Sequence, residues 1–589
     1  MKNTLTFLFT GALFCAAVTK VHAWQPGGID LDAAIKSGDF GTYLTNAKAW
    51  LNEKAPAKPD EKSAALLLKD PIFLSALDQR QLIAKTGADK LGAFAKADPA
   101  NQAFLAWLLK NTPAMELYLE GAVPIGLAAR EANDYTLNTT SLEVWKNILK
   151  SDPDAKDGLY LKMAIALALA PPAPGGAGSA DKADDAVSRY QHYKTAHQNK
   201  ELMPSFDHLT VWEYTKVLTS GASSADLTWA RAMLNTFRPD LRIDERVVES
   251  TSLVWRRAAP PKFYPNGGYQ NFKNVLSGGG KCGPRSSWSV MICRAFGIPA
   301  IGVGQPAHAC VAYKSANPML QPQPGSAWKV GFGGGWQVSK LEGISGPEFL
   351  AAVEKRSDAA KFSCVEHLRW LAGALTAPDR AAAFMEVAHK INDSITAGKT
   401  DLTASLKPEE AEADPGVKAA VAGKSVQPAA SATPANISAD PVKAAAGALL
   451  VDAASFAQTG GKISWGGQTP HVLVHDSQTG GKQIYFQQQM KEQWADFTLD
   501  VPTAGNYQIT MKAACINDDQ LLEICSGSNV IATVSIANSL GLWEDTKPVE
   551  LKLERGKQTL RVQTPVSVDA ENHKRGIALK SFELKAKVN

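Results

Sequence analysis

The chain has 589 residues, which is more than one ordinary domain holds and predicts several domains with buried cores. Hydrophobic residues make up 45% of the chain and charged residues 20%, a balance typical of folded globular proteins rather than of disordered or multi-span membrane chains. With 62 Lys and Arg against 58 Asp and Glu, the net charge is only +4. This small surplus gives no reason to expect nucleic acid or an anionic membrane as the partner.

Residues 1–23 have the pattern of a secretory signal peptide. Lys2 supplies a positive start, residues 5–18 are mostly apolar, and Val21 and Ala23 are the small residues that a signal peptidase requires. The apolar run is shorter than the roughly 18 residues that cross a bilayer. Cys15 raises the alternative of a lipid anchor, which the bulky Phe14 before it disfavours. We therefore expect a secreted or periplasmic protein without a membrane anchor in the mature chain.

The pattern of residues 24–260 is helical. Leu142, Trp145 and Leu149 recur at helical spacing, as do several apolar residues after Ser223. No fixed repeat period is visible, and the region resembles a stack of helical hairpins. We expect its tryptophans to be core residues rather than ligand contacts: Trp145, Trp212, Trp229 and Trp255.

Two further segments follow a central domain that we assign to residues 261–400. Residues 401–447 are rich in Ala and Pro and contain no aromatic residue, so they cannot bury enough apolar area to offset the entropy of ordering. This segment predicts a linker that lets the C-terminal domain move independently. Residues 448–589 consist of short alternating runs separated by turns, the pattern of an antiparallel β-sandwich.

The most informative motif surrounds Cys282. Glycines 278–280 precede it, Pro284 follows in what would be the first helical turn, and Gly297 is a helix stop. The spacing predicts a helix that begins at Cys282. The unpaired amide groups and the dipole of a helix N-terminus favour negative charge, and the thiolate is the nucleophilic form of cysteine.

His308 opens a predicted strand in which Cys310 and Ala312 share its face. A histidine near a helix-tip cysteine can take the thiol proton or hold the thiolate as an ion pair. Each residue alone would more simply be a buried core side chain. The combined pattern of glycines, Cys282, helix, strand and His308 favours a catalytic dyad.

The stretch around Cys282, residues 294–300 and His308 resembles the core of the transglutaminase-like, papain-related superfamily. This resemblance covers about 80 residues of the chain, 264–341, and implies an α+β domain in which Cys282 is the nucleophile and His308 the base. It also implies thioester acyl chemistry on amide bonds: peptide hydrolysis, deamidation or cross-linking of a protein, peptide or glycoconjugate substrate.

The chain also departs from that family. Cys310 stands where the family has an aromatic residue, and residues 309–341 contain no Asp or Glu that could complete a triad. Three side-chain amides could orient the imidazole instead: Asn317, Gln321 and Gln337. The alternative is a catalytically inactive binding protein that keeps the fold without the acid.

Metal binding is the rival explanation for the central cysteines. Cys282 and Cys293 would lie about 16 Å apart along one helix, too far for one tetrahedral zinc ion or for a disulfide. We therefore predict no metal site there and no cofactor.

The C-terminal module resembles the jelly-roll carbohydrate-binding modules that accompany secreted glycosidases. The resemblance implies that Trp543 could stack on a sugar ring, and polysaccharide is therefore a possible partner. A core position for Trp543 is the alternative. Cys515 and Cys525 lie on consecutive predicted strands, where a disulfide is possible only across a longer or bulged turn.

Overall fold

The computed structural model describes residues 24–172, 184–254, 271–280, 282–314, 328–331, 341–395, 442–443, 448–463, 469–487, 492–565 and 576–587. The predicted signal peptide, Trp255 and most of the predicted linker lie outside these residues. Among the helices described, none combines the length and the apolar character that crossing a membrane requires.

The chain up to residue 395 is mainly helical. Capping explains several helix starts: the Asp70 carboxylate accepts the backbone N–H groups of Ile72 and Phe73, and Pro71 opens the helix that follows. The helices are α1 (Gly28–Ser37), α2 (Phe40–Lys54), α3 (Glu61–Leu67), α4 (Pro71–Thr86), α5 (Ala88–Ala97), α6 (Pro99–Leu109), α7 (Thr112–Ala122), α8 (Leu127–Glu131), α9 (Thr139–Ser151), α10 (Gly158–Leu169), α11 (Ala186–Gln198), α12 (Val211–Leu218), α13 (Ser224–Phe237), α14 (Phe272–Gly278), α15 (Cys282–Ala295), α16 (Gly346–Ser357), α17 (Ala359–Ala374) and α18 (Pro378–Ser394). Three 3₁₀ helices span Pro153–Lys156, Pro204–His208 and Pro239–Val254.

The helical N-terminal region is confirmed, and the tryptophans described in it are core residues. Trp145, Trp212 and Trp229 are all buried. Helices α16–α18 return to this region, because α17 packs on α2 and α4, and α18 packs on α3. A buried ion pair of 2.5 Å between Arg130 and Glu366 also joins α8 to α17. Contacts therefore cross the boundary predicted at residue 260.

A small antiparallel sheet lies within the helical part. Its strands are β1 (Ala300–Gln305), β2 (His308–Lys314) and β3 (Trp328–Gly331), in the order β1-β2-β3. Val311 and Tyr313 point to the face that α15 covers, and they share a hydrophobic core with that helix. Cys310 and Ala312 alternate to the opposite face and belong to a separate cluster with Trp212, Trp328 and Phe349. The sheet is thus covered on both faces.

The C-terminal region is all β, as predicted. Its strands are β4 (Val442–Lys443), β5 (Ala448–Asp452), β6 (Gln458–Lys462), β7 (Leu473–Asp476), β8 (Lys482–Phe486), β9 (Glu492–Val501), β10 (Gly505–Cys515), β11 (Gln520–Ser526), β12 (Asn529–Ile536), β13 (Glu544–Asp545), β14 (Val549–Leu553), β15 (Gly556–Gln563) and β16 (Ile577–Ala586). One sheet has the order β13-β10-β16-β8-β7, with β14 on β10 and β5 on β16; the other has the order β12-β11-β15-β9-β4, with β6 on β9. Phe497 and Phe582 meet edge to face at 5.0 Å between the two sheets.

The sandwich packs directly against the helical region. The Phe237 and Tyr485 rings meet edge to face at 5.3 Å, and the Gln483 side-chain amide donates to the Thr236 carbonyl at 2.7 Å. The Trp229 indole N–H donates to the Leu540 carbonyl at 3.3 Å. The expectation of an independently moving sandwich is therefore wrong. Linker composition does not reveal that α13 and the sandwich carry matching surfaces.

The disulfide considered for Cys515 and Cys525 does not form. Both thiols are free and buried. Cys515 ends β10 in one sheet, whereas Cys525 lies on β11 in the other. The turn between them crosses from sheet to sheet instead of closing a hairpin. Cys515 donates its S–H to the Asn517 carbonyl at 3.3 Å.

Candidate functional site

Helix α15 begins at Cys282, which confirms the start predicted from the sequence. The helix runs to Ala295, and Gly297 follows with φ of +81°, a backbone conformation that glycine adopts without strain. Cys282 is half-buried. It therefore lies where backbone N–H groups without intrahelical partners point outward and where a solute can reach the sulfur.

Strand β2 begins at His308, which confirms the second predicted element. It forms a hairpin with β1, in which Gln305 pairs with His308 and Val303 pairs with Cys310. Ala307 takes a left-handed φ of +55° in the turn. His308 is only 8% exposed, so the histidine is fixed at the first position after the turn.

Two side chains of α15 hold the helix on the sheet. The Ser286 hydroxyl, one turn after Cys282, donates to the Cys310 carbonyl at 2.6 Å. At the other end of the helix, the Arg294 guanidinium donates to the Ala300 carbonyl at 2.8 Å. The N-terminus of α15 therefore lies at the end of the sheet where β2 begins, and Cys282 and His308 belong to the same end of this helix–sheet unit.

The direction of His308 follows from strand alternation. His308 has the same parity as Cys310 and Ala312, which pack in a cluster with Trp212 and Phe349. Cys282, at the tip of α15, is nonetheless close enough to Cys310 for the two thiols to interact electrostatically. The sequence predicted this shared face but not which face the helix covers. The face of the sheet under α15 is set by distant core partners, which a local motif does not encode.

The other cysteines of this region differ chemically from Cys282. Burial raises the pKa of Cys310 to about 12, and the neighbouring Cys282 adds to the effect. Burial also raises the pKa of Cys364, on α17. Cys293 is fully buried inside α15. Burial therefore opposes thiolate formation at Cys310 and Cys364.

The sequence analysis did not single out two residues near the start of α15. Ser286 holds the helix to β2, and Arg285 brings a buried cation to the position three residues after Cys282. Their spacing of three and four residues from Cys282 on one predicted helix could have identified them as its neighbours. The three amides proposed as substitutes for the triad acid lie outside the described residues: Asn317, Gln321 and Gln337.

A cavity of about 290 Å³ opens at the opposite end of β2 from His308. Its walls include Lys314, Trp328 and Arg356. The Arg356 guanidinium packs over the Trp212 ring at 5.6 Å and donates to the Val123 carbonyl at 2.7 Å. This cavity lies away from Cys282 and does not form part of the predicted dyad.

Trp543, the residue considered for sugar stacking, is half-buried. It packs with Leu540 and Leu542 against a core cluster that includes residues of α13. Gly541 lies beside Met233, since a Cβ atom placed on this glycine would come within 2.6 Å of Met233 Cγ. Trp543 is therefore part of the loop that contacts the helical region, and its role toward sugar stays a prediction.

The C-terminal sandwich resembles carbohydrate-binding modules of the CBM6 type. The C-terminal CBM6 of a marine laminarinase from Zobellia galactanivorans is 15% identical, with 23% of this chain and 98% of that chain covered and a TM-score of 0.19. A carbohydrate-binding module from Cellvibrio mixtus lichenase 5A, solved with cellotriose, is 16% identical, with 24% and 97% covered and a TM-score of 0.19. A β-1,3-glucan-binding CBM6 from Bacillus halodurans is 14% identical, with 23% and 95% covered and a TM-score of 0.19.

No family model matches the chain. No curated protein matches it either.

Proposed function

We propose that the protein is a secreted or periplasmic enzyme that uses Cys282 for thioester acyl chemistry on amide bonds. The observation that carries the proposal is the half-buried position of Cys282 at the first residue of α15, on a turn that Ser286 ties to β2 at 2.6 Å. A thiol so placed combines access to substrate with a helix N-terminus that favours negative charge.

In the proposed reaction, the Cys282 sulfur attacks the amide carbonyl carbon and a C–S bond forms. His308 takes the thiol proton and passes it to the amide nitrogen as the C–N bond breaks and the amine leaves. Water or a second amine then attacks the thioester, releases the acyl group and restores the thiol. Water gives hydrolysis or deamidation, and a second amine gives cross-linking.

The backbone N–H groups at the start of α15 are suited to the charge that develops on the carbonyl oxygen. Donors that are already oriented stabilise an oxyanion without reorganisation at the moment of reaction. Arg285 adds positive charge to the same turn. The substrate class is a protein, peptide or glycoconjugate, and the sandwich would add polysaccharide binding through the surface around Trp543.

The test compares Cys282→Ala with Cys364→Ala, since both remove one half-buried thiol from a helix. Release of ammonia or amine from peptide amides and incorporation of a fluorescent amine are measured, with cell-wall and glycoprotein extracts as further substrates. We expect Cys282→Ala to lose at least about 10³-fold in rate and Cys364→Ala to match the wild type. Equal activity in both variants would contradict the proposal.

A second candidate is a binding protein without catalysis. The observation that favours it is the lack of a carboxylate between residues 309 and 341 that could complete a triad. In this case Cys282→Ala would bind polysaccharide and protein extracts as the wild type does, and neither would turn over any amide.

A further inference from the structure

A buried cluster of acidic groups and one histidine lies in the helical region, away from Cys282. Asp78 on α4, Glu116 on α7 and His367 on α17 each offer one ligand atom, and these atoms lie within 4.8 Å of one another. Asp78 and His367 are 0% and 2% exposed. Three helices that are distant in sequence therefore bring oxygen and nitrogen donors to one point.

The tautomer of His367 is set by its surroundings. Its Nδ1 lies 2.7 Å from the Ser363 carbonyl oxygen, which can only accept, so Nδ1 carries a proton. The second ring nitrogen, Nε2, forms a hydrogen bond of 3.0 Å with Asp78 Oδ1 and lies 3.9 Å from Glu116 Oε1. A metal ion bound at Nε2 would displace the proton of that hydrogen bond. An imidazole held by a backbone carbonyl in this way is the usual arrangement of a metal-binding histidine.

A second, independent observation concerns the other oxygen of Asp78. Asp78 Oδ2 is buried and has no hydrogen-bond partner among the residues that the structure describes. A buried carboxylate oxygen without a partner is costly, because it loses its hydration and gains nothing in return. A cation at this point would satisfy it.

The charges of the cluster also favour a cation. Glu120, one helical turn after Glu116 on α7, is a further carboxylate close to His367 and Asp78. Three carboxylates thus surround one histidine, and Arg356 lies close to Glu120.

From this geometry we infer that Asp78, Glu116 and His367 form a binding site for a divalent first-row transition-metal ion. Ligand atoms about 2.1 Å from a metal lie about 3.0 to 3.4 Å apart in octahedral or tetrahedral geometry. The separation of 3.0 Å between His367 Nε2 and Asp78 Oδ1 lies within that range, whereas the 3.9 Å to Glu116 Oε1 exceeds it by about 0.5 Å, so the partly exposed Glu116 side chain would move inward on binding. One imidazole with carboxylates suits Zn²⁺, Fe²⁺ or Mn²⁺ rather than a thiolate-seeking metal.

An entry route is present. The Glu116 side chain is 29% exposed, although its two partners are buried. An ion could therefore reach the cluster from solvent past Glu116. Because Glu116 is the outermost ligand and Gln has the same shape, Glu116→Gln can remove a ligand charge without opening a cavity.

The experiment uses the full chain after treatment with a chelator and titrates it with Mn²⁺, which avoids the competing cysteines. The free Mn²⁺ signal in electron paramagnetic resonance reports binding. We expect one Mn²⁺ per chain in the wild type, displacement by Zn²⁺, and at least tenfold weaker binding for Glu116→Gln and for Asp78→Asn. Glu53→Gln, an exposed glutamate on α2, should bind as the wild type does.

Two results would overturn the inference. One is the absence of stoichiometric Mn²⁺ binding by the wild type. The other is wild-type affinity in Glu116→Gln, whose fold can be checked by circular dichroism. Should Asp78→Asn fail to fold, Glu116→Gln alone decides the question. A wild type without bound metal would leave His367 and Asp78 as a buried imidazolium–carboxylate pair.

Discussion

The cysteines of the protein occupy two contrasting environments. Cys282 is half-buried at the first residue of a helix, whereas Cys515 and Cys525 are buried within the strands of a sandwich. Burial raises the pKa of Cys515 to about 12 and also raises the pKa of Cys525. Position within an element, rather than residue type, therefore separates a candidate nucleophile from a core thiol.

The start of α15 and the C-terminal sandwich also differ in the contacts that hold them in place. The Cys282 turn is tied to its own sheet by Ser286. The sandwich instead uses one end of its sheets to contact another part of the chain, and the loop of Leu540, Leu542 and Trp543 packs there. Separating the sandwich from α13 should therefore change the stability of the protein without changing the reactivity of Cys282.

The largest expected effect comes from Gly541→Val. Gly541 has φ of +78°, and a Cβ would lie 2.6 Å from Met233 Cγ on α13. Backbone strain and overpacking together should cost about 2 to 5 kcal/mol. We expect a lower melting temperature and a larger radius of gyration in small-angle scattering, with the alkylation rate of Cys282 unchanged.

Gly527→Val is the matched control. Gly527 has φ of +59°, and a Cβ there would meet no atom within 4 Å, so this variant carries the backbone strain without the contact to α13. If the melting temperature falls equally in both variants and neither expands, the contact between Gly541 and Met233 does not contribute to the stability of the protein.

The next effect in size concerns pH. Burial, together with Arg238, lowers the pKa of His475 to about 4, although Asp240 opposes the shift. His475 lies 3.5 Å from Asp240, between the sandwich and the 3₁₀ helix at Pro239–Val254. Once unfolded, the histidine titrates near its ordinary value of about 6.5, so the unfolded state binds more protons between pH 6.5 and 4.

The contribution of His475 to the free energy of unfolding should therefore be fully present above pH 6.5. It should decline by up to about 3 kcal/mol as the pH falls to 4. Thermal unfolding of the wild type and of His475→Gln across this range measures the difference. Identical pH dependence in the two proteins would assign the effect to other groups, such as the half-buried His192, whose pKa is lowered to about 3 by desolvation.

The smallest expected effect is that of a reductant. Since Cys515 and Cys525 are free and lie in different sheets, the melting temperature should change by less than about 1 °C on reduction. A native disulfide contributes about 2 to 5 kcal/mol, so a fall of several degrees would show that the two environments had been assigned wrongly.

The sequence predicted elements well wherever the determinants are local. A glycine run, a proline in the first turn and a glycine stop place the start of α15 at Cys282, and alternation places the start of β2 at His308. Alternation likewise predicted a sandwich at the C-terminus. These signals depend on a few neighbouring residues, and the structure has them where they were expected.

Contacts between residues far apart in the chain could not be predicted from local sequence patterns. The side of the sheet that α15 covers, the sheet to which Cys525 belongs and the contact of Gly541 with Met233 are decided by residues far apart in the chain. The cluster of Asp78, Glu116 and His367 spans 289 positions from Asp78 to His367. No spacing motif links such residues, because only the packing of three helices brings them together.

The reactivity of Cys282 is tested most directly with iodoacetamide at neutral pH. The folded chain is alkylated for a series of times and then digested, and the labelled peptides are quantified by mass spectrometry. We predict that Cys282 is labelled at least about tenfold faster than Cys364, which is also half-buried on a helix, and that His308→Ala slows Cys282 toward the rate of Cys364. Equal and slow labelling of both thiols in the wild type would contradict the account of Cys282 as an activated nucleophile.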